Sequence, residues 1–345
     1  MKKITWLLLI AIILIGCSNK KDEETKLKDE TVITDEAPEI AQEERDALYD
    51  LNYKFTKGDQ FSYRLTTITN TTQTVASDTM VTNDVTQTIK YKFVMNVLDV
   101  DKNDIATLSI NINRIDLSAS YNGQTMEYSS DMDIKDEKRM DYFEYETMKN
   151  TTYHAKISGK GIISEVSHLD QMIDNMVKIQ NYQKTLTAEE KKGVSENLAN
   201  MLVKPLTQHL FRVLPDHEIG IDSVWEFRYP SSLATFKIEN IASFRMLRAV
   251  KEGDDMIGDF AASLRIKATG DNTYTEKGVT YIFDKPVVTG SGTVKFNIDK
   301  GFVPYSNTTT RVETQGIVEA KDDKDQAQHA SRKDITVSTN IIERL

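Results

Sequence analysis

Hydrophobic and polar residues alternate over most of the chain after residue 50. In the first such stretch, Phe61, Tyr63 and Leu65 are separated by polar residues. The same period of two recurs at residues 89–97, 108–113, 225–229, 294–298 and 335–339. Clean alternation is typical of antiparallel sheets, in which one face is solvated. The pattern therefore predicts strands over residues 51–163 and 219–345.

A helical pattern interrupts the strands over residues 165–212. Apolar residues recur at three and four positions from 166 to 182, which predicts one amphipathic helix. Thr187 and Glu190 have the spacing of a capping box, so a second helix is expected to begin there. Pro205 is expected to kink or end this second helix, because proline removes a helical hydrogen bond.

Turn residues separate the predicted strands. Residues 99–104 and 299–301 are rich in Asp, Asn, Lys and Gly and predict hairpin loops. Gly159-Lys160-Gly161 and Gly290-Ser291-Gly292 lack the spacing of a phosphate loop or a nucleophile elbow. We interpret both triplets as turns or bulges.

The predicted fold class is α+β with predominantly antiparallel β structure. Residues 57–63 and 219–225 each place a Gly and an Asp shortly before an aromatic residue, and each opens a block of strands. This weak repeat is satisfied by two similar β lobes or by one curved sheet. In either case a central two-helix insertion divides a β-rich body that covers residues 47–345.

The first seventeen residues have the pattern of a lipoprotein signal peptide. Lys2 and Lys3 precede an apolar run that ends in Leu14-Ile15-Gly16-Cys17. A basic start, an apolar core and a small residue before the cut are typical of secretory signals. The run is shorter than the ~20 residues of a membrane span, so an uncleaved anchor is the lesser alternative. We predict that residues 1–16 are removed.

The last four residues of this signal resemble the lipobox of bacterial lipoproteins. The resemblance implies that the Cys17 thiol carries a diacylglycerol and that the new amino group is also acylated, with chains such as palmitate. Two or more acyl chains give stable membrane attachment, whereas one chain binds reversibly. Cys17 is thus the predicted lipidation site, and the membrane is the first predicted partner.

Residues 17–46 are predicted to form the lipidated cysteine and a disordered charged tether. They are dense in charge and lack aromatic residues. Ser18 after the cysteine, and Lys21-Asp22-Glu23 close behind it, resemble sorting and export signals of outer-membrane and surface-displayed lipoproteins. The expected location is therefore the cell envelope, lipid-anchored at the outer membrane and facing the periplasm or the surface; an ordinary solvated linker is the alternative interpretation.

Composition excludes several functional classes. Removal of residues 1–16 takes away Lys2 and Lys3, which leaves 41 basic against 53 acidic side chains. So acidic a protein is a poor partner for nucleic acid, which is bound by neutralising its phosphates. Cys17 is the single cysteine of the sequence, so disulfides, a cysteine nucleophile and thiolate zinc ligands are not expected.

The sequence contains no recognisable catalytic motif. The five histidines are scattered along the chain and lack the spacing of metal ligands. They are His154, His168, His209, His217 and His329. Carboxylates are numerous, but abundance does not select an acid/base pair. We therefore expect no catalytic residues, no metal and no cofactor, and the protein is not expected to be an enzyme.

Two kinds of non-catalytic site are suggested by short patterns. Met172, Met176 and Met201 lie on the predicted helices, and their adaptable side chains could line a site for an apolar ligand. A stripe of this kind more often covers a sheet. Thr79 and Ser223 follow aspartates in triplets that resemble the O-glycosylation acceptor of Bacteroidota.

The order of five motifs resembles a known family. The motifs lie at residues 53–59, 97–101, 113–115, 214–215 and 220–225. They resemble an uncharacterised family of lipoproteins found largely in Bacteroidota, over residues 51–345. Several members carry Gly-Asp-Ser-Trp where this chain has Ile221 and Val224 inserted. The family has a domain of unknown function, so the resemblance implies a compartment and an architecture without catalytic residues.

Two functional hypotheses follow from the sequence. The favoured one is a membrane-anchored envelope lipoprotein with a structural or partner-binding role. The alternative is a carrier that holds a lipid or another apolar ligand between a curved sheet and the helices. They differ in whether the inner face of the sheet is filled by the helices or leaves room for a ligand.

Overall fold

The computed structural model describes residues 46–181, 186–276, 278–321 and 327–345. The predicted signal peptide, Cys17 and all of the tether up to residue 45 lie outside these residues. The strands are β1 Gln60–Ala76, β2 Met80–Val100, β3 Ile105–Tyr121, β4 Gln124–Ser129, β5 Thr152–Ser158, β6 Ile163–Ser167, β7 Val224–Leu233, β8 Phe236–Glu252, β9 Asp255–Thr269, β10 Thr273–Glu276, β11 Val279–Phe283, β12 Val287–Asn297, β13 Phe302–Lys321 and β14 Ala327–Arg344.

The helices lie between strands in two groups. A 3₁₀ turn (Asp136–Tyr142) and α1 (Phe143–Met148) separate β4 from β5. The second group separates β6 from β7, and comprises α2 (Asp170–Ile179), α3 (Ala188–Leu198), a π turn (Ala199–Val203) and α4 (Lys204–Gln208). No helix among the described residues is both long and apolar enough to span a bilayer.

The predicted helical insertion is confirmed, with two corrections. The capping box is present, since the Thr187 hydroxyl accepts from the Glu190 amide and Glu190 accepts from the Thr187 amide. Val166 does not belong to the first helix but pairs with Ala155 in the sheet. Of the two alternatives for Pro205, an end of the second helix is not observed. The helix changes to a π turn at residues 199–203 and continues as α4, with Pro205 in its first turn, where a missing amide hydrogen costs little.

The fourteen strands of the described residues form one antiparallel sheet. The main order is β6-β5-β3-β2-β1-β14-β13-β12-β9-β8-β7, with β4 paired to β3 and the β10–β11 hairpin paired to β13. The two halves of the chain meet where β1 pairs with β14 from Tyr63 to Ala76. The antiparallel prediction and the alternative of one curved sheet are confirmed, whereas the alternative of two lobes is not.

The predicted loops are largely in place. Hairpins connect β2 to β3 and β12 to β13, and Gly301 of the second hairpin has the positive φ of +66° that suits glycine. Residues 159–161 form a turn as expected. Gly290-Ser291-Gly292 is neither turn nor bulge, because it pairs in regular register with residues 308–310 inside β12.

One face of the sheet carries the helices, and we call it the inner face. On this face the Thr207 hydroxyl of α4 bonds to Tyr153 at 2.7 Å, and Gln87 donates to Tyr145 of α1 at 3.2 Å. The buried core lies at one end of it: in β2, inner side chains are buried only from Tyr91 to Val97, and those nearer the β1–β2 turn are half-buried or exposed. The core therefore fills only part of the inner face.

Residues 49–54, which we call the closing segment, tie distant parts of the sheet together. Their amides donate to the carbonyls of Ile219 before β7, Gly159 after β5 and Gly301 before β13, at 2.7–3.2 Å. Because β5 and β7 stand near opposite ends of the strand order, these contacts require the sheet to curl. Leu51 and Tyr53 of the segment are 0% and 4% exposed.

Candidate functional site

Charged residues are segregated between the two faces of the second half of the sheet. The inner positions of β7, β8, β9 and β12 hold no charged residue within the paired stretches 225–231, 238–244, 260–268 and 288–294. Outer positions of the same strands are linked by ion pairs, including Arg265 with Glu226 at 2.7 Å and Arg248 with Asp259 at 2.6 Å. In these strands the inner face is thus uncharged and the outer face is charged.

Part of the inner face is uncharged and only half-buried, and we call this part the trough. Its residues belong to six consecutive strands of the sheet, and they are small or hydroxyl-bearing in most cases. They are Thr67, Thr69, Ser338, Asn340, Thr308, Thr310, Gly290, Gly292, Ala262, Leu264 and Ala242. Neighbouring strands align them because directly opposed residues of an antiparallel pair point to the same face.

Cross-strand hydrogen bonds link four of the polar side chains of the trough. Thr67 donates to Asn340 at 2.8 Å, and the hydroxyls of Thr69 and Ser338 lie 3.2 Å apart. The next pair towards the β1–β2 turn continues the series, with the hydroxyls of Thr71 and Thr336 at 2.9 Å. Hydroxyls that are bonded across strands have less hydrogen-bonding capacity left for water, so the surface is less polar than its composition suggests.

Two glycines allow the strands of the trough to bend closely together. A Cβ at Gly292 would lie 2.2 Å from the Asn307 oxygen, and one at Gly290 would lie 2.9 Å from Leu264 Cβ. Glycine in a strand interior often marks such a tight bend or close backbone approach. The sequence predicts turns or bulges at these positions, whereas the structure places them in regular pairing, where they let the strands approach closely.

Arg212 lies in the chain that follows α4. It contacts Ser306 at the end of the trough next to the buried core, which we call the covered end. Its Nη2 donates to the Ser306 hydroxyl at 2.7 Å, whereas Nε is buried without a hydrogen-bond partner. No carboxylate of the described residues lies within ion-pair distance of it, and burial lowers its pKa, with the phenols of Tyr53 and Tyr229 opposing that effect. Arg212 as a whole is half-buried, with Nε removed from solvent. A cation that is desolvated in this way without a counter-ion is costly and uncommon in a folded protein.

The groups around Arg212 do not supply negative charge. Its backbone amide donates to the Tyr53 hydroxyl at 2.7 Å, and burial raises the pKa of that phenol far above its usual range. Burial and the nearby Arg212 charge lower the pKa of His209 to about 4. At neutral pH the cluster is therefore an arginine cation among neutral side chains.

A separate cavity of about 400 Å³ lies at the closed end of the sheet, between residues 53–61 and the β12–β13 hairpin. Tyr53 and Phe211 line it, and they also adjoin Arg212. The Arg344 guanidinium covers the Phe302 ring at 3.7 Å from its centroid, so this cation already has an aromatic partner. Asp59 and Asp299 add negative charge to the lining, and the cavity is therefore electrostatically mixed.

The three candidate methionines differ in solvent exposure. Met172 is fully buried in the core, Met176 is half-buried and Met201 is 55% exposed in the π turn. The structure therefore gives them three different environments, and none belongs to the trough. Their ligand-binding role stays a prediction. Arg212 was missed at the sequence level, although a lone arginine within Leu210-Phe211-Arg212-Val213-Leu214 is a recognisable signal.

The other candidate residues lie at the surface or outside the described chain. Thr79 is exposed in the β1–β2 turn, while Ser223 is half-buried and its hydroxyl accepts from the Gly220 amide at 3.0 Å. Two of the five histidines meet, since the rings of His154 and His168 lie 4.0 Å apart. Cys17 lies outside the described residues, so lipidation stays a prediction.

The sequence matches the model of a family of unknown function, DUF6263, over residues 103–303. This match covers more than half of the chain, and the chain belongs to that family. The family resemblance expected from the sequence motifs is thus confirmed at the level of a domain of unknown function. No curated protein matches the sequence.

Several solved structures share a loosely similar arrangement of strands. A lipovitellin structure described by its lipid–protein interactions has 9% identity and a TM-score of 0.42, with 85% of this chain covered. This chain spans only 25% of the lipovitellin chain. An outer membrane channel from Pseudomonas putida F1 has 7% identity and a TM-score of 0.22, with coverages of 85% and 98%. OccK2 from Pseudomonas aeruginosa, in complex with glucuronate, has 7% identity and a TM-score of 0.20, with coverages of 82% and 96%. At these scores none of them assigns a fold or a function to this chain.

Proposed function

We propose that this protein is a lipid-anchored, non-catalytic binding protein of the cell envelope, and that its trough holds the apolar part of a ligand. The observation that supports the proposal is the trough, an uncharged part of the inner face that is only half-buried. Ligand sites are commonly concave surfaces that are largely apolar and carry few polar groups. The sequence alone favours a structural or partner-binding role. The trough is our reason to prefer the ligand-binding alternative.

The outer face supports the same division of roles. Its ion pairs keep water-exposed charges on the side of the sheet that faces away from the helices, as with Lys295 and Glu252 at 2.8 Å. A long two-sided sheet normally exposes one face and buries the other against a second layer. Here the second layer is incomplete, and an apolar ligand would complete it.

The proposal is tested by native mass spectrometry on the chain from residue 17 onward, carrying Cys17→Ser and purified without detergent. The sample is measured before and after organic extraction. We expect a bound species of lipid size that extraction removes and that added dodecan-1-ol replaces. Trp225, the single tryptophan after Cys17, lies on the inner face and provides a fluorescence signal for the same titration.

Two matched variants locate the binding surface. Thr310→Asp places a charge on the inner face, whereas Thr289→Asp places the same charge at an exposed outer position of β12. Burial of an unpaired charge against an apolar ligand is strongly unfavourable. We expect Thr310→Asp to abolish binding of dodecan-1-ol and Thr289→Asp to leave it unchanged. The proposal is refuted if the chain without these trough substitutions shows only the mass of the free protein and binds no added dodecan-1-ol.

Membrane attachment is tested separately in the native host. The unaltered chain is expected in the membrane fraction and to incorporate a palmitate analogue, because two or more acyl chains hold a protein firmly. Cys17→Ser is expected to remove both the label and the attachment of the mature chain. Label incorporation that persists in the Cys17→Ser variant would show that the lipid is carried elsewhere.

A further inference from the structure

Arg212 is electrostatically incomplete, and its position indicates what completes it. The guanidinium lies at the covered end of the trough, where Ser306 is the inner-face residue of β13 next to Thr308. Nε is buried without a hydrogen-bond partner among the described residues, and no carboxylate of these residues pairs with the guanidinium. A folded protein normally pairs a buried cation with a carboxylate. This chain instead surrounds it with phenols, an imidazole and a hydroxyl, which belong to Tyr53, Tyr229, His209 and Ser306.

We propose that the trough binds single-chain amphiphiles with an anionic head group, and that Arg212 and Ser306 hold that head group. This proposal rests on the proposed function and specifies its ligand class. A guanidinium presents its nitrogens in a planar fork that matches carboxylate and phosphate oxygens. The Ser306 hydroxyl accepts from Nη2, so its own hydrogen can go to a second acceptor. Ser306 is fully buried, so a head group that reaches it must leave water.

The uncharged inner positions of β13 extend past the trough at both ends, and their length agrees with one acyl chain. The inner positions of β13 run from Ser306 at the head-group end through Thr308 and Thr310 to Val312. A strand advances about 3.3 Å per residue, so these positions span about 20 Å. Half of a ~30 Å bilayer core, about 15 Å, is the length that one acyl chain occupies. A chain that starts at Arg212 therefore stays on the uncharged surface.

The test compares three probes that differ only in the head group: dodecanoate, dodecyl phosphate and dodecan-1-ol. Each is titrated below its micelle concentration into the Cys17→Ser chain from residue 17 onward, with Trp225 fluorescence and calorimetry as readouts. The variants are Arg212→Met, Arg212→Lys and, as a matched control, Arg265→Gln. The Arg265 guanidinium pairs with the Glu226 carboxylate through one terminal nitrogen, but Arg265 lies on the outer face and its side chain is 57% exposed.

We expect Arg212→Met to weaken binding of the anionic probes about 10- to 100-fold, which is the usual range for one hydrogen-bonded charge. Binding of dodecan-1-ol should not change in this variant, and Arg265→Gln should bind all probes normally. Arg212→Lys keeps the charge without the fork, so it should lose less. This second variant keeps the test valid if Arg212→Met does not fold. Tighter binding of dodecyl phosphate than of dodecanoate would assign a phosphate head group, and the reverse a carboxylate.

The outcomes separate this inference from the proposed function. If the alcohol and the acid bind equally well to the unsubstituted trough and to both Arg212 variants, the head-group assignment is overturned and the apolar trough remains. If no probe binds to the unsubstituted chain while its fold is intact, the proposed function itself fails, and this inference fails with it.

Discussion

His209 and Arg212 show how one environment treats two bases differently. Both lie at the end of the helical insertion and are desolvated by the same core, yet their ordinary pKa values differ by about six units. Burial and the Arg212 charge lower the pKa of His209 to about 4, so the imidazole is neutral at physiological pH. The pKa of Arg212 is also lowered, but the guanidinium stays charged. The cluster therefore has one permanent cation.

Replacement of His209 by Gln should flatten the acid side of the stability profile. The unfolded chain binds a proton at His209 near pH 6.5, whereas the folded chain binds it only near pH 4. Protonation thus favours the unfolded state, and the free energy of unfolding falls as the pH decreases from about 6.5 to about 4. The loss from this group alone is up to about 3 kcal/mol.

Urea unfolding at pH 7 and at pH 4.5 measures this effect. The difference between the two pH values should be about 2 kcal/mol smaller for His209→Gln than for the unsubstituted chain. His217→Gln is the matched control, because the His217 side chain is 63% exposed. Equal pH dependence in all three proteins would show that His209 is not desolvated in the folded state.

At the scale of elements, alternation predicted the strands because one face of each is covered and the other is solvated. Phe93 and Met95 are fully buried while Lys92 is exposed, and this contrast is visible in the sequence. The short α1 was missed because its buried residues are consecutive, from Tyr145 to Met148, and have no helical period. Val166 was assigned to a helix because an apolar residue near a helix start fits both periods. Its pairing with Ala155 depends on a strand contact that sequence spacing does not encode.

Two glycine substitutions should have opposite effects on stability. Gly292→Ala places a Cβ 2.2 Å from a backbone oxygen and 2.6 Å from Thr308 Cα, so the strands must move apart. We expect the free energy of unfolding to fall by about 2 kcal/mol or more, as in other overpacked sites. Gly193→Ala in α3 meets nothing within 4 Å and should instead stabilise the helix by up to about 1 kcal/mol.

Thermal unfolding followed by circular dichroism distinguishes the two variants, and ligand titration adds a second readout. Because Gly292 belongs to the trough, Gly292→Ala should also weaken binding of dodecan-1-ol, which Gly193→Ala should not do. If Gly292→Ala unfolded at the same temperature as the unsubstituted chain, the close approach of β12 and β13 would not exist in solution.

At the scale of the whole molecule, the candidate site could not be predicted because its parts are far apart in sequence. Arg212 and Ser306 are 94 positions apart, and Thr67 and Asn340 are 273 apart. No local period relates them; only the pairing of β1 with β14 and the curl of the sheet bring them to one face. Their chemistry was equally hidden, since threonines that alternate along a strand look like an ordinary solvated face until the register shows which side carries the helices.

The closing segment should control the stability of the entire sheet. Its hydrogen bonds reach Ile219, Gly159 and Gly301, and its side chains Leu51 and Tyr53 are buried. A chain that begins at residue 57 lacks both side chains, each of which costs about 2–5 kcal/mol to remove. That loss is comparable to the total stability of a typical domain, 5–15 kcal/mol. We therefore expect this truncated chain to have a much lower melting temperature than a chain that begins at residue 46, or to lose its cooperative transition.

The control is the chain from residue 46, which should have the same melting temperature as the chain from residue 17, since the tether is predicted to contribute no core residue. A chain from residue 57 with an unchanged melting temperature would show that the sheet keeps its curvature without the segment, and Arg212 would then have to be held by the strands alone.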